Sequence, residues 1–512
     1  MKTFGKYMLV GSLLCSVGVA NAQDSYDAQT FANSDLNGTA RFVSMGGALG
    51  ALGGDISVMS TNPAGTALYR KSDAAISISE LFSGDGAMGH DGYRMSLDQG
   101  GVLIAFDMEN PSGEGLQFVN FGVNYQKKRN FLFNQITDVR GLSNTFSQTY
   151  QMANMANWAM YDAQQAGLEY DRYFGTMLQA GADAVLVDKV DNEGNFVYDE
   201  LGNLQYDGIP AKSAYYEKAT YGANVQADIN LSFNVSDQLF FGASVGVYDM
   251  DYRRESLYRE EGIDGASYNF TNWYETRGDG FDVKLGFICR PFEDSPFRFG
   301  VNVHTPTWYR LTDTNGYDLY LNDKYFTSDW NPDYDYNYRT PWKFGLSLGH
   351  TVGNFFAIGA EYEYSDISTA KYSSIEDFDS NYFRRINSIT KKMLKAQHTF
   401  KVGAEVKPTD VLSLRAGYNF ISSPFKKDAY RPFDYDGIYT ETDWTNWGDI
   451  SRITCGFGYR FKGGYFDLAY QYQAQKGDFY AFDDALDTGE MFQSTQISAN
   501  RSQVMATIGF RF

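Results

Sequence analysis

From residue 74 to the last, Phe512, apolar and polar residues alternate one for one in segment after segment, and no other feature limits the fold as much. Period-two alternation sends successive side chains to opposite faces of a strand. Tyr221, Ala223, Val225, Ala227, Ile229, Leu231 and Phe233 form one apolar face, with Asn224, Gln226, Asp228, Asn230 and Ser232 opposite. Segments 239–247, 281–287, 342–348, 400–406 and 412–420 repeat the pattern, and the whole chain holds fourteen such segments. A soluble sandwich also alternates, so the connections must decide.

Short turns at 234–237, 293–295, 352–354, 407–410 and 462–464 alternate with long polar loops at 129–218, 253–277, 312–340, 369–396, 422–449 and 477–501. One trimmed end and one elaborate end are the mark of an outer-membrane barrel, and an even strand count leaves both termini on the trimmed side. Composition fits: aromatics make up 17% of the 512 residues, with 39 Tyr and 39 Phe, while mean hydropathy is only −0.40. Alternating lipid-facing and lumen-facing residues keep the average polar, and aromatics form belts at the interfaces. Past the N-terminus no apolar run reaches the roughly 18 residues of a helical span. Val504, Ala506, Ile508, Phe510 and Phe512 give the last strand an apolar face and a terminal Phe, the kind of signal read by barrel-assembly machinery. The expected fold is all-β, a 14-stranded antiparallel transmembrane β-barrel over residues 74–512.

Residues 1–22 read as a signal peptide: Lys2 and Lys6 precede an uncharged run, and Ala20-Asn21-Ala22 is a small-x-small cleavage site. Export and barrel together place the chain in the outer membrane of a Gram-negative bacterium. Residues 23–41 are polar and unpatterned, a flexible lead. Stretch 42–70 breaks the alternation with Gly46, Gly47, Gly50, Gly53 and Gly54, followed by Asn62, Pro63, Ala64 and Gly65. So much glycine holds a shape only when something larger encloses it. Residues 23–73 are therefore expected to form a hatch inside the barrel, with Asn62 capping a tight helical turn and Pro63 at its first position.

In the largest loop, 129–218, Met152, Met155, Trp158 and Met160 recur at helical spacing and predict a short cap over the barrel mouth. Residues 383–396 read as a second short helix, basic and amphipathic. The Asp and Asn clusters of 188–207 miss the ligand spacing of a calcium loop and read as a hairpin with two Gly-Asn turns.

Little in the chain suggests catalysis. The G-x-S-x-G at 242–246 lies inside an alternating strand, where a nucleophile elbow does not work. There is no H-E-x-x-H or C-x-x-C, and Cys289 and Cys455 sit in alternating segments. No enzyme activity, cofactor or metal is expected. A net charge of −20 excludes nucleic acid as a partner. Lys284, Arg298, Lys343, Glu361, Lys401, Arg415, Arg452 and Asp467 fall opposite the apolar faces. Most are expected to pair with each other; Arg298 and Arg415 are the candidates for holding an anionic head group.

An exported chain with a glycine-rich N-terminal segment, an Asn62-Pro63-Ala64 motif before the first strand, fourteen strands and a terminal Phe resembles the FadL/TodX family. These are outer-membrane transporters of long-chain fatty acids and other hydrophobic compounds. The resemblance implies a monomeric barrel plugged by its hatch, with passive uptake: capture among outside loops, transfer to a lumen pocket, and sideways release into lipid through a kink in the third strand. That strand is 116–127 here, with Asn120 and Gly122 as the candidate kink. The alternatives are a general diffusion porin, or a protein taking up hemin or aromatic compounds.

Overall fold

The computed structural model describes residues 24–110, 113–143, 146–165, 187–200, 202–263, 265, 267–321, 324–327, 333–375, 380–431, 441–482 and 493–512. The signal peptide at 1–22 lies outside them.

The alternating segments form a closed antiparallel barrel of fourteen strands, each hydrogen-bonded to the next, with the last returning to the first. In chain order they are β1 (Asp73–Phe82), β2 (Tyr93–Asp107), β3 (Leu116–Asn130, resumed at Phe133–Asp138), β4 (Ala211–Val235), β5 (Leu239–Gly262), β6 (Ser267–Cys289) and β7 (Arg298–His304, resumed at Trp308–Leu321). Then come β8 (Tyr334–Arg339 and Lys343–Val352), β9 (Phe356–Asp366 and Lys371–Ser374), β10 (Ala396–Val406), β11 (Leu412–Ile421), β12 (Trp444–Phe461), β13 (Gly464–Tyr480) and β14 (Thr495–Ser498 and Arg501–Arg511). Closure runs from Asp73↔Arg511 to Phe82↔Ser502. Such closure leaves no free sheet edge in lipid. Among the described residues no helix is long and apolar enough to cross a membrane.

Around the short-turn half the wall is apolar outside and polar inside. Ile229, Leu231, Val245, Val247 and Leu285 are exposed on the outer surface, while Asn230, Ser232, Ser244 and Lys284 are buried within. Residues 253–277 and 312–340 were expected to be loops; much of both is strand. β5 and β6 stay paired out to Glu261↔Ser267, and β7 pairs with both neighbours above the apolar band. Here the polarity inverts. Tyr252, Tyr258, Tyr274, Tyr309, Tyr336 and Tyr338 point inward and are buried, while Arg253, Glu255 and Arg259 lie on the outer side. With no apolar outer face, this upper barrel gave no strand signal.

Four short helices and turns of the N-terminal segment fill the tube: α1 (Ser25–Ala32), α2 (Ala40–Ser44), and 3-10 turns at Ile56–Ser60 and Pro63–Leu68. The expected flexible lead is thus partly helical and buried. Asp24 caps α1 by accepting from the Tyr26 and Asp27 amides, and Phe31 is fully enclosed. The lead's polarity misled because its partners are lumen tyrosines: Tyr338 donates to Ala28 O (2.6 Å) and Tyr372 to Asp24 O (2.9 Å). Over the long-loop end, helix α3 (Gln148–Gln165) packs Met152 and Met155 against Tyr258, Tyr268 and Phe270, the cap expected there. Helix α4 (Ser380–Met393) packs Phe383 and Ile386 beside α1. The hairpin reading of 188–207 matches paired turns at Asp191–Asn195 and Asp199–Asn203.

Candidate functional site

The glycine-rich stretch seals the short-turn half because wall and hatch approach backbone to backbone. A Cβ on Gly242 or Gly286 would stand under 3.0 Å from Pro63 or Asn62, and one on Gly359 or Gly403 equally close to the carbonyls of Ala48 or Met45. Asn62 caps its 3-10 turn, accepting from the Ala64 amide (3.2 Å), and donates to Gly50 O (2.9 Å). Gly46, Gly47, Gly53 and Gly54 take positive φ, a conformation open to glycine at no steric cost. Gly65 donates its amide to Asn62 O (2.9 Å) and accepts from Gly54 (3.2 Å).

Above this floor lies a cavity of about 240 Å³. Its walls are polar: ten lysines and arginines face seven carboxylates among the described lining residues, a net positive chamber in an acidic chain. Most charges are paired. Lys284 bridges Asp228 (2.9 Å) and Asp282 (2.7 Å), and Lys401 meets Glu361 (2.7 Å). At the loop end Arg431 meets Asp24 (2.6 Å) and Glu441 (3.3 Å), while Arg254 pairs with Glu441 (2.9 Å) and Asp443. This buried network ties the loop after β11 to the start of α1. Lys128 has no ion-pair partner among the described residues and lies 4.3 Å over the Tyr248 ring. Beside the cavity Phe31 sits in an aromatic box, edge-on to Tyr252 (5.6 Å) and Tyr338 (6.0 Å).

The barrel wall beside the cavity contains a seam. β2 and β3 are paired only from Gln99↔Gln126 to Asp107↔Phe118. Above that, β2 continues to Tyr93 paired with β1, and β3 continues to Asn130 paired with β4, so the two edges facing each other are unpaired. The bulge that drops Asp98 from the β1–β2 ladder lies at this point. Residues 35–37 of the hatch lead take over β3's free edge. Asp35 N donates to Lys128 O (2.8 Å), Asn37 Nδ2 to Lys127 O (3.1 Å), and Gln126 Nε2 to Asn37 O (2.6 Å).

The seam corrects the expected kink at Asn120 and Gly122. The ladders run unbroken through both residues, and register shifts only at Leu116/Phe118 and Lys127/Arg129. Asn120 is instead a hatch anchor, donating to Thr66 O (2.7 Å) and Tyr69 O (3.1 Å), and Gly122 leaves room for Met59. The head-group candidates also move. Neither Arg298 nor Arg415 lines the cavity. Arg298 donates to Leu52 O (3.0 Å), and Arg415 joins Glu405 (2.6 Å) to Asp467 (2.5 Å) beneath it.

Besides the paired Arg254 and Arg431, the arginines that reach the cavity are Arg129, Arg452 and Arg501, gathered around Asp35. Sequence reasoning found Arg452 by its alternation but missed the other three residues. Asp35 lay in a stretch without pattern, and Arg129 and Arg501 stand at strand ends, where alternation fades. Ser244, centre of the G-x-S-x-G, stays in β5 and accepts from Asn230 (2.9 Å).

No family model matches the chain, and no curated protein does. Solved structures do. A Pseudomonas aeruginosa FadL homologue is 14% identical, with a TM-score of 0.51 over 94% of this chain and 100% of that one. The toluene transporter TodX of P. putida is 13% identical, with a TM-score of 0.46 over 93% and 99%. The chain shares the fold of the FadL homologue.

Proposed function

We propose that this chain belongs to the FadL/TodX group and is an outer-membrane channel for passive uptake of hydrophobic small molecules, with long-chain fatty acids as its principal substrate. One observation carries the reading: the hatch fills the tube below the cavity, while the barrel wall beside it is interrupted at the β2–β3 seam, which residues 35–37 cover. A solute leaving by the seam enters lipid, an exit suited only to a molecule soluble there. A diffusion porin needs an open axial water path, and the glycine-lined contacts of hatch and wall argue against one. An amphiphile suits the chamber: a charged head among the cations, and a tail along Phe131, Phe133 and Ile450, where burial contributes about 25 cal/mol per Å². Capture would begin among the long loops. A second reading, uptake of aromatic compounds, is favoured by the box that holds Phe31.

The test is mass spectrometry of whatever co-purifies with the full chain in non-ionic detergent. A long-chain fatty acid in near-stoichiometric amount is the expected result. A polar metabolite, or nothing displaceable by oleate, would overturn the proposal.

A further inference from the structure

Three guanidiniums and one carboxylate meet at the boundary between the cavity and the seam. Arg452 Nη2 lies 3.8 Å from Asp35 Oδ1, and Arg501 Nη1 lies 3.6 Å from Asp35 Oδ2. Both are ion-pair distances beyond hydrogen-bond length. The arginines are positioned by neutral partners: Arg452 by Gln473 Oε1 (2.8 Å) and Asn419 Oδ1 (3.2 Å), Arg501 by Leu132 O (2.6 Å), and Arg129 by Thr30 O. Each arginine thus has an anchor other than Asp35, and one carboxylate leaves two positive charges uncompensated. A second, small void of about 20 Å³ shares Asp35, Arg452 and Arg501 with the main cavity, so the cluster stands in the partition between them.

Asp35 is also part of the strap over the seam. Its amide bonds Lys128 O, and its Oδ2 accepts from the Asn130 amide (2.9 Å). The same carboxylate therefore faces the arginines and holds the hatch lead on β3's unpaired edge.

We infer that Arg129, Arg452 and Arg501 form a receptor for a compact oxyanion, a phosphate or carboxylate head, and that Asp35 is its built-in competitor. An oxyanion reaching Arg452 and Arg501 replaces Asp35 there, and repulsion between the two anions weakens the strap of residues 35–37. Arginine forks suit a planar or tetrahedral oxyanion better than the loose pairs seen with Asp35. With two spare charges the cluster prefers a dianion such as a phosphate monoester to a monocarboxylate. The link between binding and opening rests on the proposed uptake reading; the receptor itself does not.

The experiment is calorimetry of the mature full-length chain in non-ionic detergent with decyl phosphate, decanoate, decanol and inorganic phosphate. Decyl phosphate is expected to bind at least about tenfold more tightly than decanol, and the double variant Arg452→Gln/Arg501→Gln to lose that preference. Arg452→Lys keeps the charge and should recover part of it, and heat-modifiable migration on gels confirms that each variant is folded. The decisive variant is Asp35→Asn. Competition predicts tighter decyl phosphate binding, by about threefold or more, together with faster amide exchange at 35–37, whereas a purely structural Asp35 predicts weaker binding. Unchanged or weaker binding in Asp35→Asn overturns the competitor. Equal binding of decanol and decyl phosphate overturns the receptor and leaves hydrophobic uptake standing. Inorganic phosphate binding as tightly as decyl phosphate, with no binding of decanol, supports the receptor and overturns hydrophobic uptake.

Discussion

Asp27 makes the docking of helix α1 sensitive to pH. It is buried on α1, and burial, reinforced by Asp24, Glu441 and Asp313 and opposed by Arg431, raises its carboxyl well above the ordinary 3.8. The packed state therefore binds a proton that the released helix gives up. By linkage, docking is strongest below the ordinary carboxylate range and weakens as pH rises towards the raised value. Hydrogen exchange of Ser25–Ala32, corrected for intrinsic rates, should accelerate as pH rises above the ordinary carboxylate range. Asp27→Asn should flatten that dependence and slow exchange at neutral pH; an unaltered profile in the variant would assign the trend elsewhere. Individual residues were the least legible part of the sequence. Alternation told that Arg298 and Arg415 point inward, and they do. It carries no information on height in the barrel or on partners, so hatch anchors looked the same as ligand contacts.

At the scale of elements, the seal depends on glycines at inward strand positions that let the hatch backbone rest on the wall. Gly403→Val would push against Met45 and should destabilise the assembly by about 1–3 kcal/mol, as overpacking does. Gly100→Val, where nothing stands within 4 Å, should change stability by no more than about 0.5 kcal/mol. Thermal unfolding of the two variants side by side is the check, and equal shifts would remove the close-approach argument. Elements were legible where one face met lipid and the other the lumen, as in β4 from Tyr221 to Phe233. They were lost where the contrast reversed, as in the Tyr252–Tyr258 part of β5, with aromatics inside and charges outside. The lead around Asp35 and Phe31 was illegible for a different reason: its order comes from residues hundreds of positions away.

For the whole molecule, wall and plug have separate supports. The barrel closes through its own ladder from β1 to β14, so removing 42–70 should leave it folded and leaking. Planar-bilayer recordings are expected to change from a nearly silent wild type to a steady open conductance. A deletion variant that migrates as a folded barrel yet conducts no better than wild type would mean that the loops above, rather than the hatch, make the seal. At this scale the strand count, the trimmed and elaborate ends and the enclosed glycine-rich stretch were all readable, because each is a property of pattern rather than of contact.

The lengths of β4, β5 and β6 (25, 24 and 23 residues) set where this protein meets its surroundings. At about 3.3 Å per residue and a tilt near 40°, they rise roughly 60 Å, while the apolar belt of such a barrel is only about 25 Å tall. The remainder stands clear of the bilayer as a chimney, with charge on its outside and tyrosine lining its bore. Under the proposed uptake reading, the intake therefore opens above the bilayer surface rather than at the outer leaflet. If hydrophobic uptake holds, such an intake favours cargo arriving from the medium over lipid already in the membrane.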